Sequence, residues 1–331
     1  MSRLVTIFGG SGFVGRYITW RMANAGWRVR VAVRRPNEAL HVKPYGNVGQ
    51  VEPVSCNIRD DDSVRAVLRG ADAVVNCVGT FDRKGRNNFT AVQDEGATRI
   101  ARLAAAEGVA RLVQLSAIGA DRQSASEYAR SKAAGEAGIL AHFPQAVILR
   151  PSVVFGPEDQ FFNRFASMSR FGPVLPVVGG DTRFQPVYVD DVARAAEMGV
   201  VGSAPAGIYE LGGPTTATFR ELMQMMLGII RRRRLILNIP FGIAAVMAWG
   251  MELVQTVTFG LVPPQITRDQ VRSLRVDNVV SDGAKAFADL GIKPTALDAV
   301  LPDYLWRFRR PGSTTRSRSR PGTCGPERGQ P

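Results

Sequence analysis

The seven residues Gly9-Gly10-Ser11-Gly12-Phe13-Val14-Gly15 narrow the choice of fold more than any other feature of the chain. They follow directly on an apolar run, Leu4-Val5-Thr6-Ile7-Phe8, and open a segment with helical spacing. In a GxxGxxG turn between a strand and a helix, the first glycine permits the tight turn and the second brings the backbone close to a pyrophosphate. The third lets helix and strand pack together. Phosphates then face free N–H groups at the positive end of a helix dipole. Alone, the loop is also compatible with a plain glycine turn. Its position at the head of a long α/β pattern implies a Rossmann-type, doubly wound parallel sheet that binds a dinucleotide.

The rest of the chain extends that pattern. Short Val/Ile/Leu runs predict strands at 4–8, 29–33, 51–55, 72–78, 111–116 and 146–150, with helices near 13–25, 60–69, 90–107 and 127–142. Nearly continuous apolar strands are expected where both sheet faces are covered. Residues 1–150 are therefore read as an NAD(P)-binding Rossmann domain. After Arg150, prolines at 151, 157, 173, 176 and 186 interrupt the pattern. Helices are expected at 161–170 and 218–230, the second capped by Thr218. Val187-Tyr188-Val189 reads as a strand feeding a helix capped by Asp190-Asp191, and Leu297 to Phe308 as the last ordered element. Residues 151–308 are read as a smaller, mostly helical substrate or docking region that partly returns to the sheet. Residues 309–331, rich in Arg, Ser, Pro and Gly, read as a disordered basic tail.

The net charge of +13 suggests nucleic acid until its location is considered. Arg307 to Pro331 holds seven arginines against one glutamate, and Arg231 to Arg234 adds four more. The charge is local, with no basic face or aromatic platform for bases, so a nucleic-acid partner is not expected. Cys56, Cys77 and Cys324 are far apart and His41 and His142 isolated, which argues against a disulfide framework or a metal site. Cys56 and Cys77 read as small buried residues at strand ends. With the first strand beginning at Leu4, neither a signal peptide nor a presequence is expected.

The end of the second strand bears on which dinucleotide binds. NAD-binding versions of this fold usually carry a carboxylate there for the ribose 2′-hydroxyl. This chain has Val33-Arg34-Arg35-Pro36. A guanidinium pairs with a 2′-phosphate through two hydrogen bonds, so Arg34 favours NADPH; the other reading is a solvated basic strand end.

Asn57-Ile58-Arg59-Asp60, Asn76-Cys77-Val78-Gly79 and Tyr128-Ala129-Arg130-Ser131-Lys132, together with the glycine loop, resemble the extended or atypical short-chain dehydrogenase/reductase family. The resemblance runs from residue 4 to about 305, with Leu290-Gly291-Ile292-Lys293-Pro294 matching a closing motif. The runs from Pro151 to Asp159, Phe165 to Pro173 and Gln185 to Val192 are more specific. They resemble the nucleotide-binding accessory subunits of respiratory complex I. The resemblance implies that Gly9, Ser11, Gly12, Phe13, Val14 and Gly15 surround the pyrophosphate, Arg34 the 2′-phosphate, and Asn57 and Ile58 the adenine. It places Gly79 along the cofactor and Ser152 and Val153 near the nicotinamide. Tyr128 would be the proton donor or acceptor, and Lys132 would lower its pKa and bind the nicotinamide ribose. Ser116 would be the hydroxyl partner; the other reading is a strand-end serine bonded to its own loop. Tyr128 and Lys132 stand one helical turn apart and so share a face. Two departures bear on turnover. Ser116-Ala117-Ile118 stands where active members carry Ser-Ser-x-x-Val-Tyr, and Gln93-Asp94-Glu95-Gly96-Ala97 where they carry Asn-x-x-Gly-Thr.

Arg231 to Arg234 precedes an apolar run from Leu235 to Met251 containing Pro240 and Gly242. It is too short and too broken for a membrane span. Two readings remain: a helix buried on the Rossmann domain, or a docking face within 231–263 that meets a partner or an anionic membrane surface. The resemblance favours docking. The chain is thus expected to be an NADPH-binding accessory subunit of complex I on the cytoplasmic side of the bacterial inner membrane. The rival is a free-standing NADPH-dependent oxidoreductase or epimerase/dehydratase, acting for example on a quinone-related substrate.

Overall fold

The computed structural model describes residues 3–81, 85–257 and 267–309, without the side chains of 253–257. Six strands follow one another through the first half: β1 (Leu4–Phe8), β2 (Arg28–Val33), β3 (Val51–Ser55), β4 (Ala73–Asn76), β5 (Arg111–Leu115) and β6 (Val147–Pro151). All pair in parallel, joined at the β6 edge by a seventh strand, Gly207–Leu211. The order across the sheet is Gly207–Leu211, β6, β5, β4, β1, β2, β3. The chain therefore winds outward in both directions from the β1–β4 pair. At such a reversal the loops after neighbouring strands part and leave a crevice at their carboxyl ends. The glycine loop opens into it.

Helices cover both faces. Across one lie α1 (Phe13–Asn24) and, from later in the chain, α6 (Val189–Val201), with Ile18, Met22, Val192 and Ala196 in a common core. Across the other lie α2 (Asp61–Leu68), α3 (Glu95–Ala106) and α4 (Glu127–His142), burying Val64, Leu68, Ile100, Leu103 and Ile139. Asp60 caps α2 by accepting the Ser63 N–H at 2.7 Å. The helix expected at 90–107 starts with a π-helical turn, Thr90–Asp94, before continuing as α3.

The later residues build a lobe from α5 (Phe162–Met168), α7 (Phe219–Ile229), α8 (Phe241–Val257), α9 (Arg268–Ser273) and α10 (Leu297–Leu305). Phe155, Phe162, Phe184, Phe219 and Leu301 form its core, and Phe161 stacks on Phe219 at 5.3 Å. Thr218 caps α7 in a reciprocal box with Glu221. Buried Asp159 accepts the N–H groups of Gly156, Phe161 and Asn163 and the Tyr304 hydroxyl, tying α10 to the Gly156-Pro157-Glu158 turn.

Three local expectations need correction. The Gly207–Leu211 strand is absent from the sequence reading. The apolar run 235–251 is not one element, because Pro240 separates a strand, Leu235–Ile239, from α8; that strand pairs in parallel with Val174–Val178. Asp190 and Asp191 lie in the first turn of α6 rather than capping it. Asp190 instead holds Arg21 through two hydrogen bonds (2.8 and 2.6 Å), and Asp191 accepts from Thr295. The tail from residue 310 and residues 258–263 of the docking segment lie outside the described residues.

Candidate functional site

At the head of α1 the backbone makes an anion cradle. Gly9 has φ +73, and the first helical hydrogen bond is from Arg16 N–H to Gly12 O at 2.9 Å. The N–H groups of Ser11, Phe13, Val14 and Gly15 have no backbone acceptor among the described residues, and Gly12 caps without a side chain. The turn leaves no room for larger residues. A Cβ on Gly15 would overlap the Gly9 carbonyl oxygen and lie 2.8 Å from Gly10 Cα. One on Gly10 would lie 2.9 Å from Thr19 Oγ1. Close helix–strand packing and several free N–H donors fit a dinucleotide pyrophosphate.

Around this cradle, Arg34 is exposed just past β2 and has no ion pair among the described residues, whereas Arg35 pairs with Glu38 at 2.9 Å. Asn57 folds into a turn, its side-chain oxygen accepting the Arg59 N–H at 3.2 Å. Ile58 is half-buried against Gly96. Gly79 reaches the centre of the site: a Cβ there would lie 3.8 Å from Lys132 Nζ. Ser152 and Val153 follow β6, with the Ser152 hydroxyl on the Asn278 carbonyl and side-chain oxygens (2.9 and 2.7 Å).

Tyr128 and Lys132 come together on α4, with Nζ 5.8 Å from the Tyr128 ring centroid. Lys132 is only 7% exposed and donates to the Leu115 carbonyl at 3.4 Å. Burial pulls its pKa down to about 8 against the opposing pull of Glu136 and Cys77. Tyr128 stacks on Phe81 at 5.4 Å and meets the edge of Phe89 at 5.9 Å. Burial pushes its phenol up to about 12. Near neutral pH this pair is an ammonium beside a neutral phenol, able to donate hydrogen bonds and poor at accepting protons. The Cys77 thiol behind them is pushed up to about 12 by burial, and Cys56 to about 11, so both are inert thiols.

Ser116 is held elsewhere. Its hydroxyl donates to Glu136, which also takes a two-point contact from Arg150 (3.0 and 2.6 Å). Arg150 reaches on to Glu210 at 3.4 Å. The serine thus belongs to a buried ionic network below the site.

Two residues support the site through contacts that no local pattern reveals. Gln93, in the π turn, donates to Thr80 O at 2.6 Å and accepts from Ser131 at 2.9 Å, fixing α4 between Tyr128 and Lys132. The π turn itself is a signal of local function, but its hydrogen-bond register is not written in the residues. Asp269, on α9, is 3% exposed and accepts the N–H groups of Glu127 (2.7 Å) and Tyr128 (3.2 Å) and the Ser126 hydroxyl (2.9 Å). A carboxylate at a helix N-terminus offsets the dipole there. Its partners lie some 140 residues away in sequence, beyond any local pattern.

A profile of the NAD dependent epimerase/dehydratase family matches residues 5–212. The chain belongs to this family. It is 37% identical to the Arabidopsis thaliana mitochondrial NADH dehydrogenase [ubiquinone] 1 alpha subcomplex subunit 9 over 93% of this chain and 79% of that one. It is also 30% identical to a ceramide reductase of Caulobacter vibrioides over 78% of this chain and 82% of that protein. The fold is shared with the WbmH enzyme of Bordetella bronchiseptica in complex with NAD+, at a TM-score of 0.65 and 18% identity, covering 94% of this chain and all of that one. The extended short-chain dehydrogenase/reductase resemblance and the Rossmann-type α/β fold therefore hold. Among the described residues, no helix is long and apolar enough to cross a membrane, and no cluster of three or more His, Cys, Asp or Glu is placed to hold a metal.

Proposed function

We propose that this protein is an NADPH-binding accessory subunit of respiratory complex I, peripheral to the cytoplasmic face of a bacterial inner membrane, that holds its cofactor mainly as a structural element. The kinship with subunit 9 along nearly the whole chain supports the assembly. The non-catalytic part is carried by the state of the would-be triad: a phenol pushed up to about 12 and a serine hydroxyl committed to Glu136.

In this reading the N–H groups of Ser11, Phe13, Val14 and Gly15 bind the pyrophosphate, with Gly9 and Gly12 shaping the turn. Arg34 pairs with the 2′-phosphate. Asn57 and Ile58 line the adenine site, Gly79, Ser152 and Val153 border the nicotinamide end, and Lys132 holds the ribose. Bound NADPH supplies a hydride donor. The protein's own residues bind it, shield it and leave the Tyr128 proton in place. Ligand bound only to the folded state stabilises it, by about 2.7 kcal/mol at a hundredfold excess over Kd, so tight binding serves assembly without turnover. The exposed face of α8, with Ile243 at 57%, Val246 at 68% and Met247 at 47% exposure, supports docking within 231–263.

Calorimetric titration tests the cofactor assignment. NADPH should bind at least tenfold tighter than NADH, about 1.4 kcal/mol, and Arg34→Asp should invert the order. Equal affinities in the wild type would remove the case for NADPH. The kinship with a ceramide reductase and the pairing of Tyr128 with Lys132 favour a second reading, a free-standing NADPH-dependent reductase or epimerase/dehydratase. Rapid NADPH oxidation that disappears in Tyr128→Phe would establish it.

A further inference from the structure

The end of α7 and the strand after it enclose an open groove of about 900 Å³, apart from the dinucleotide site. Five arginines line it, Arg220 and Arg231 to Arg234, with no acidic residue among the lining side chains. Two of them are anchored: Arg232 donates to Phe308 O at 2.9 Å and Arg234 to Ser169 O at 2.8 Å. Arg220, Arg231 and Arg233 make no ion pair among the described residues.

Arg231 stands in an unusual backbone state. The chain leaves α7 with Arg231 N–H on Gly228 O (3.2 Å) and Arg232 N–H on Leu227 O (3.0 Å). This hydrogen-bond pair closes a helix through a left-handed residue, ordinarily glycine. Here that residue is Arg231 at φ +54, the one non-glycine with positive φ among the described residues. L side chains enter this region at a cost in free energy. Local strain of this kind is kept where the side chain has a use. The helix dipole favours a cation here, but it acts only over the last turn and does not call for three unpaired arginines around a groove.

The surroundings indicate the occupant. Leu227, Leu235 and Ile236 provide apolar lining, and Leu235 is 67% exposed, so an apolar surface runs out of the cationic groove. The chain continues from Arg309, which sits on Ile229 O at 3.0 Å, into a sequence with five more arginines. The protein's own tail and a second copy of the groove are thus of the wrong charge to fill it. An occupant needs a phosphate for the arginines and a hydrocarbon part for the leucines. We propose that the groove is a binding site for the headgroup phosphate of an anionic phospholipid. This deepens the peripheral attachment proposed above, on which it rests, and does not require the complex I assignment.

The test uses the full chain and vesicles of phosphatidylcholine with or without phosphatidylglycerol. The wild type should bind only the anionic vesicles. Each arginine near such a surface contributes about fivefold, so Arg220→Gln with Arg233→Gln should weaken binding about 25-fold. Arg231→Gly should weaken it about fivefold while raising the melting temperature by about 1–2 °C, because the backbone strain is relieved. If Arg231→Gly lowers the melting temperature and leaves vesicle binding unchanged, the arginine is a helix-end residue and the proposal fails. It fails too if inorganic phosphate or glycerol phosphate competes as well as vesicles do, or if an oligonucleotide binds with the same dependence on these arginines. Ile243→Glu with Val246→Glu, which removes the α8 face, should preserve the phosphatidylglycerol dependence. If it abolishes vesicle binding and the arginine variants do not, α8 docking stands and the headgroup site falls.

Discussion

Lys132 offers a test in which the structure sets both sign and size. Its pKa drops from 10.5 in the free side chain to about 8 in the fold, mainly because burial penalises the ammonium. At about 1.4 kcal/mol per pH unit, this places about 3 kcal/mol against the folded cofactor-free protein near neutral pH. Since the folded pKa is the lower one, the unfolded chain holds more protons between pH 8 and 10.5, and wild-type stability from this group rises across that window. Lys132→Met keeps an unbranched apolar stem one atom shorter and removes the charge. The variant should therefore be more stable than wild type by up to about 3 kcal/mol at neutral pH. Its advantage should shrink above pH 8 and vanish near 10.5. Urea denaturation of both proteins without cofactor, over a series of pH values, reads this directly. The same substitution should weaken NADPH binding, since the ribose contact goes with the charge. Stability profiles that stay parallel from neutral pH to 10, or a variant less stable at neutral pH, would mean that burial does not penalise the Lys132 ammonium.

Asp269→Ala should cost about 2–3 kcal/mol, because two part-buried N–H groups and a buried hydroxyl lose their acceptor; thermal unfolding checks this, and a loss within about 0.5 kcal/mol would mean that water replaces the carboxylate. Gly15→Ala should abolish dinucleotide binding and destabilise by about 1–3 kcal/mol, since the new methyl falls on the Gly9 carbonyl; retained affinity in calorimetry would contradict the close approach. Ile243→Glu with Val246→Glu should leave the melting temperature within about 2 °C of wild type, as both side chains are exposed, and release the protein from salt-washed membranes. Unfolding would instead make α8 core.

Six of the seven sheet strands are legible in the sequence because Leu4–Phe8, Ala73–Asn76 and Val147–Pro151 are largely apolar, and the other three, although broken by Arg, Glu, Pro or Gln, recur in step with the helical segments. Gly207–Leu211 escapes because it comes after the regular strand–helix alternation ends at Arg150, beyond a stretch punctuated by prolines. Its glutamate is tolerated at 6% exposure only through Arg150 and the Ser281 N–H, partners that no local pattern reveals. The glycine loop declares itself, since its requirement is local backbone geometry, and so does the Tyr128–Lys132 spacing on one helix. The position of Ser116 is less legible: a strand-end serine reads as a partner for the tyrosine or for its own loop until Glu136 is brought under it from α4. Asp269 and the arginine groove depend on tertiary contacts. The run of arginines is obvious in the sequence, but its left-handed turn and apolar lining are not.

Membership in a respiratory assembly is read by native electrophoresis of gently solubilised membranes. Antibody against this chain should mark the same high-mass band that oxidises NADH in the gel, and deleting the gene should shift or dissolve that band. Antibody signal confined to the size of the free chain, with the NADH-oxidising band unchanged by the deletion, would contradict membership.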